Sequence, residues 1–232
     1  MTATDSGNFR IKGLVFDLDG TLVHSTIDFS LMRKSALERM REAGVPASVL
    51  DERMSIASNL KACYHYLSET RSGDDARSLL TDVGRIMNEI EMRNVRNTLA
   101  VPRANQTLCR LIDEGYGMAV LTRGSRRYTD AALSASGLTR YFDKTICRDD
   151  YPDEEAKPNP ISLSRAAGKL GLTNEECLLV GDHAMDLECA RSAGSGFVGV
   201  LSGATDMPTW TNLGVIRIIP DVTFLPGLLS KI

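Results

Sequence analysis

Three short apolar runs in this chain end in residues that can do chemistry. Leu14-Val15-Phe16 runs into Asp17-Leu18-Asp19-Gly20-Thr21. Met118-Ala119-Val120-Leu121 runs into Thr122-Arg123-Gly124, and Leu178-Leu179-Val180-Gly181 into Asp182, with Asp186 close behind. A fourth segment, Ala156-Lys157-Pro158-Asn159-Pro160, offers an isolated cation ahead of a proline-started helix. Asp17 and Asp19 are two apart, so on an extended backbone both carboxylates leave the same face. Two carboxylates there repel unless a cation or a shared proton compensates. Asp-Gly also marks hairpins, but Thr21–Ile27 does not return as an alternating strand. Oxygen ligands spaced as in Gly181-Asp182-His183-Ala184-Met185-Asp186 suit Mg²⁺, which takes carboxylates and keeps water. Each residue also has a plainer reading. Asp182 could cap a helix, Thr122 could cap a turn, and Lys157 could be a solvated surface charge.

The elements that must position these residues are short apolar runs alternating with helical patterns, the mark of a parallel sheet with helices on it. The runs are Leu14–Phe16, Met118–Leu121, Thr145–Cys147, Leu178–Val180, Phe197–Val200 and Val215–Ile219. Helical patterns cover Arg103–Glu114, Ser125–Ser136, Pro160–Leu170 and Ala184–Ser192, followed by glycines at 115, 137, 171 and 194 where a left-handed cap is needed. In such a sheet the carboxyl ends of the strands share one edge, and ligands bind there at a switch in strand order. Ser125 reads as an N-cap, so a helix start that favours anions would face the same region.

Residues 25–96 have a different texture. They hold no convincing strand, and apolar residues recur at helical spacing: Leu31, Ala36, Leu37 and Met40, then Leu79, Val83, Ile86, Met87 and Ile90. Helices are predicted near 28–43, 47–69 and 74–96, broken at Gly44-Val45-Pro46 and Ser72-Gly73-Asp74. An insertion of about 70 residues exceeds an ordinary crossover. The predicted fold is therefore α/β: a Rossmann-like, doubly wound parallel sheet core (1–24 and 97–232) with an inserted all-helical domain (25–96).

In these motifs the chain resembles the haloacid dehalogenase superfamily, whose phosphatases begin Asp-x-Asp-Gly-Thr and continue with a Thr or Ser, a Lys, and Gly-Asp-x-x-x-Asp. The resemblance implies an aspartyl-phosphate enzyme with a helical cap. Asp17 matches the nucleophile, and Asp19 the acid/base that protonates the leaving alkoxide and later deprotonates water. Thr122, Lys157, the backbone of Arg123 and amides near residues 18–20 match the phosphate-binding groups. Arg123 departs from the usual Asn, and the role of its guanidinium is open. Asp17, Asp182, Asp186 and the main-chain carbonyl of Asp19 match the Mg²⁺ ligands, with Asp182 the direct ligand of the last motif and Asp186 binding through water or orienting Lys157. His183 reads as a bystander or a group behind the ligands, His65 as structural, and His24 as lining either substrate or hinge. The cap and motif order look most like phosphoglycolate phosphatases. A β-phosphoglucomutase-like mutase, a pyrophosphatase and a non-catalytic regulatory relative are the alternatives. A dehalogenase would need neither Asp19 nor Mg²⁺.

Composition bounds the rest. The chain has 232 residues, 43% hydrophobic, with a net charge of −3. That charge argues against general nucleic-acid affinity. No stretch reaches the ~20 apolar residues of a membrane span. The polar Met1–Lys12 lacks an apolar signal segment, and five scattered cysteines form no Cys-x-x-Cys pair, so a cytoplasmic, reduced setting is expected. The expected partner is a small-molecule phosphate ester, with no nucleic acid or membrane, and the chain a monomer or homodimer.

Overall fold

The computed structural model describes residues 11–231, so most of the polar start lies outside the described residues. In chain order the elements are β1 (Gly13–Phe16), β2 (Val23–His24), α1 (Phe29–Glu42), α2 (Ile56–Thr70), α3 (Gly73–Met92), β3 (Leu99–Ala100), α4 (Ala104–Asp113), β4 (Gly117–Leu121), α5 (Arg126–Ala135), β5 (Thr145–Ile146), α6 (Pro160–Leu170), β6 (Cys177–Gly181), α7 (Ala184–Ala193), β7 (Gly196–Val200), α8 (Met207–Asn212), β8 (Ile218–Ile219) and α9 (Leu225–Leu229). The described residues of Met1–Ser25 and Arg96–Ile232 form one compact unit, and Thr26–Val95 another.

The first unit is built on a parallel six-stranded sheet in the order β5-β4-β1-β6-β7-β8. The chain fills one side of β1 with β4 and β5, then the other with β6, β7 and β8. The order therefore reverses around β1, and a crevice opens at the carboxyl ends on either side of it. Apolar side chains of β1, β4 and β6 pack with Leu163, Ala166 and Ala167 of α6 and Leu187, Cys189 and Ala190 of α7. Burying both faces of a strand explains why these runs are continuously apolar rather than alternating. β2 and β3 form a separate antiparallel pair.

Two runs are shorter than the apolar pattern predicts. After Ile146, the Cys147 amide donates to Asp150 Oδ2 at 2.8 Å, which ends the ladder. Val215 closes α8 rather than opening a strand: its amide donates to Trp210 O, and Gly214, at φ +71°, donates to Thr211 O. Only Ile218–Ile219 then pair with β7.

The second unit packs three helices around Met32, Leu37, Met40, Leu60, Leu67, Leu79 and Val83. Side chains of Asp28, Ser55 and Ser72 cap the three starts. The predicted helix over 47–69 in fact begins at Ile56. Buried Asn59 explains the delay. Its Oδ1 accepts from Asp51 N, and its Nδ2 donates to the carbonyls of Asp51 and Ser55, giving the preceding loop the backbone partners a helix would have supplied. The third helix ends at Met92, and Val95 falls in a 3₁₀ turn. His65 is exposed on α2, with its ring edge-on to Tyr64. No helix among the described residues is long and apolar enough to cross a membrane.

Candidate active site

β1 is held on both sides, Phe16 lying level with Val120 of β4 and Val180 of β6. Asp17 is the next residue, and its amide still donates to Val180 O at 2.9 Å. The nucleophile candidate is thus fixed by the sheet itself. The strand ends at Phe16 and the chain bends at Leu18, so Asp17 and Asp19 do not continue β1 as an extended pair. The amides of Leu22 and Val23 both turn back to Leu18 O, and Gly20, at φ +78°, makes the turn. The turn uses the Gly20 amide on Val23 O at 2.8 Å, so this N–H does not serve the phosphate as expected. The two carboxylates acquire different company.

Asp17 joins Asp182 and Asp186. All three are buried, and one oxygen of each lies within 4.8 Å of the others. Lys157 enters this group from the segment ahead of α6. Its Nζ donates to Asp17 Oδ1 at 2.5 Å and to Asp186 Oδ1 at 2.6 Å, with only 3% of the side chain exposed. Lys157 is therefore not a solvated surface charge. Burial pushes the Asp17 carboxyl well above the usual carboxylate range; Lys157 opposes this, while Asp186 and Asp182 add to it. Burial, then Asp186, likewise raises Asp182, against the Ala204 amide and Lys157. Burial alone would lower Lys157, but Asp17 and Asp186 outweigh it and hold the ammonium charged. One ammonium among three carboxylates leaves negative charge uncompensated. An all-oxygen, electron-rich donor set of this kind fits a hard divalent cation.

Glycines keep the carboxylates in place. A Cβ on Gly20 would stand 2.5 Å from Asp182 Oδ2, and one on Gly203 would collide with the same atom. A Cβ on Gly181 would stand 2.5 Å from Asp186 Cγ. Ser202 ties two of these loops together, its Oγ donating to Gly20 O at 2.6 Å, and the Ala204 amide donates to Asp182 Oδ2 at 2.7 Å. Sequence reasoning missed Ser202-Gly203-Ala204, although it too follows an apolar strand run. Gly203→Ala is expected to displace the Asp182 carboxylate and raise the divalent-metal concentration for half activation by about tenfold or more. A metal titration of activity checks this.

His183, not Asp182, caps α7: its Nδ1 accepts from the Met185 amide at 3.1 Å. Asp186 completes a capping box by accepting from the His183 amide at 3.1 Å. One Asp186 oxygen thus anchors the helix start and the other receives Lys157. Thr122 and Lys157 line one small cavity. Thr122 Oγ1 accepts from the Gly124 amide at 2.9 Å, so it does shape the local turn. Arg123 sends its guanidinium to Asp153 Oδ1 at 2.9 Å, bracing the segment that carries Lys157. Ser125 caps α5 as predicted. Asp19 accepts at Oδ1 from the hydroxyl of buried Tyr128, a partner that sequence spacing did not suggest. His24 is exposed on β2.

The parallel sheet reverses its strand order at β1 and carries this carboxylate–lysine cluster beyond the carboxyl end of that strand. Residues 14–200 match the family model of haloacid dehalogenase-like hydrolases. The chain belongs to that family. It is 34% identical to a phosphoglycolate phosphatase of Pectobacterium atrosepticum, over 83% of this chain and 81% of the relative. It is 29% identical to a phosphoglycolate phosphatase of Neisseria meningitidis, over 85% and 83%. A crystal structure of a hydrolase from Pseudomonas syringae superimposes with a TM-score of 0.70 at 26% identity, covering 95% of this chain and 99% of that one. Within the family the chain is phosphoglycolate phosphatase-like over most of its length.

Proposed function

We propose that the protein is a Mg²⁺-dependent phosphomonoesterase that works through an aspartyl-phosphate on Asp17, with 2-phosphoglycolate as its first candidate substrate. The observation that carries the reading is the buried Lys157 bonded to both Asp17 and Asp186 beside Asp182. A nucleophilic carboxylate approaching a phosphate dianion needs cations fixed in advance, and this cluster provides one and has room in its charge for another.

In the first step an Asp17 oxygen forms a bond to phosphorus as the ester oxygen leaves, and Asp19 gives that oxygen its proton. In the second, water attacks the phosphorus of the aspartyl-phosphate and passes a proton to Asp19; phosphate departs and both carboxyl groups are restored. Asp17, Asp182, Asp186 and the main-chain carbonyl of Asp19 would hold the ion. When bound, Mg²⁺ supplies positive charge that offsets repulsion between the carboxylate and the phosphate. Lys157 holds Asp17 in position and remains positive throughout. The Thr122 hydroxyl can donate to a phosphate oxygen while still accepting from Gly124, and the Arg123 amide serves the same oxygens. We assign the helical unit Thr26–Val95 the cap role implied by the family, that of choosing the alcohol portion.

The relatives' activity makes 2-phosphoglycolate the substrate to try first. The test is a screen of that ester, pyrophosphate, sugar phosphates and nucleotides, with Mg²⁺ and with EDTA. Phosphate release should require Mg²⁺ and be fastest from 2-phosphoglycolate. A flat profile would remove the substrate assignment alone; full activity in EDTA would overturn the mechanism.

A further inference from the structure

We propose that Tyr128 is the positioning residue for Asp19, and that Gly124 is what allows it to reach. The inference rests on the reading of Asp19 as proton carrier. Tyr128 is fully buried in the first turn of α5, three residues past the N-cap Ser125, and its hydroxyl donates to Asp19 Oδ1 at 2.5 Å across 109 positions of sequence. A donor on Oδ1 makes that oxygen the acceptor of the carboxyl group. When Asp19 is protonated, the proton is then directed to Oδ2, and the plane of the group is fixed. The hydroxyl can keep donating in both protonation states, so the group need not reorient between the two steps. A preset orientation saves the reorganisation that a freely rotating carboxyl would require at each transfer.

The phosphate loop is built around this tyrosine. A Cβ on Gly124 would stand 2.8 Å from Tyr128 Cδ1 and 3.3 Å from Thr122 Oγ1. Any larger residue at 124 would press on the ring that carries this hydroxyl. Gly124 thus leaves free the space that the Tyr128 ring occupies beside Thr122.

Tyr128→Phe, which keeps the ring, tests the assignment. On an alkyl phosphate, kcat should fall roughly 10–100-fold, with KM within about twofold and the Mg²⁺ requirement unchanged. On p-nitrophenyl phosphate, whose leaving group needs no proton, the first step should survive. The variant should then release a burst of nitrophenol equal to the enzyme, followed by slow turnover, because the water step still needs Asp19. Wild-type kcat on both esters would overturn the proposal. So would an equal slowing of the burst itself, or a loss matched by a lowered Tm, since a merely structural tyrosine would act that way. Asp19→Asn is run in parallel: if it keeps wild-type turnover, the reading of Asp19 fails, whatever Tyr128 does. If Asp19→Asn is slow while Tyr128→Phe is not, only the positioning role falls.

Discussion

Asp17→Asn should lose at least about 10⁴-fold in turnover without losing the fold. The amide keeps the shape of the carboxylate but cannot attack phosphorus. Its effect on stability should run the other way. Asp17 is buried beside Asp182 and Asp186, and burial and these neighbours hold its carboxyl well above the usual range despite Lys157. A raised pKa in the folded state means the folded protein binds more protons than the unfolded one across that window. Stability from this group is full below the ordinary carboxylate value and is lost as pH rises through the raised value. In EDTA, Asp17→Asn should therefore become steadily more stable relative to the parent as pH rises from the acid range to neutrality. Paired thermal melts across pH check this. A difference that shrinks toward neutrality would show that Asp17 is comfortably paired and that the cluster needs no further cation.

Lys157→Ala should be the most destabilising change at the site. It removes the ammonium between Asp17 and Asp186 and leaves two buried carboxylates without their cation. Breaking a buried pair from one side typically costs about 3–5 kcal/mol. The loss should be partly recovered by millimolar Mg²⁺, which enters the same carboxylate cluster, and by lower pH, which protonates it. Activity should fall by orders of magnitude, since the remaining carboxylates repel a phosphate dianion. Denaturant unfolding with and without Mg²⁺ measures the first effect. A variant as stable as the parent in EDTA would mean the ammonium is not compensating buried charge.

Much of the sheet was legible because its strands are buried on both faces. Such strands announce themselves as short, continuous apolar runs, and the residue that ends each run is placed at the sheet edge by geometry alone. That is why Asp17, Thr122 and Asp182 could be named before any contact was known. What failed were decisions made across space. Asn59 looks like an ordinary polar residue on a helix, yet it turns inward and holds residues 51–55 as a loop. Val215 looks like the start of a strand, yet its amide closes α8. Spacing placed Asp17 and Asp19 on one extended face; the chain instead bends at Leu18, and Asp17 meets Lys157 while Asp19 meets Tyr128. No local pattern marks Tyr128 or Gly203, because what matters is who stands opposite, and that is set by the order of the strands.

The most direct test of the account is to quench the enzyme in acid during turnover with Mg²⁺ and map its peptides by mass spectrometry. One phosphoryl group should appear on the peptide carrying Asp17, vanish in EDTA, and be absent from Asp17→Asn. Steady turnover with no phosphoryl group on that peptide, in the parent and in the slowed Tyr128→Phe variant alike, would contradict it.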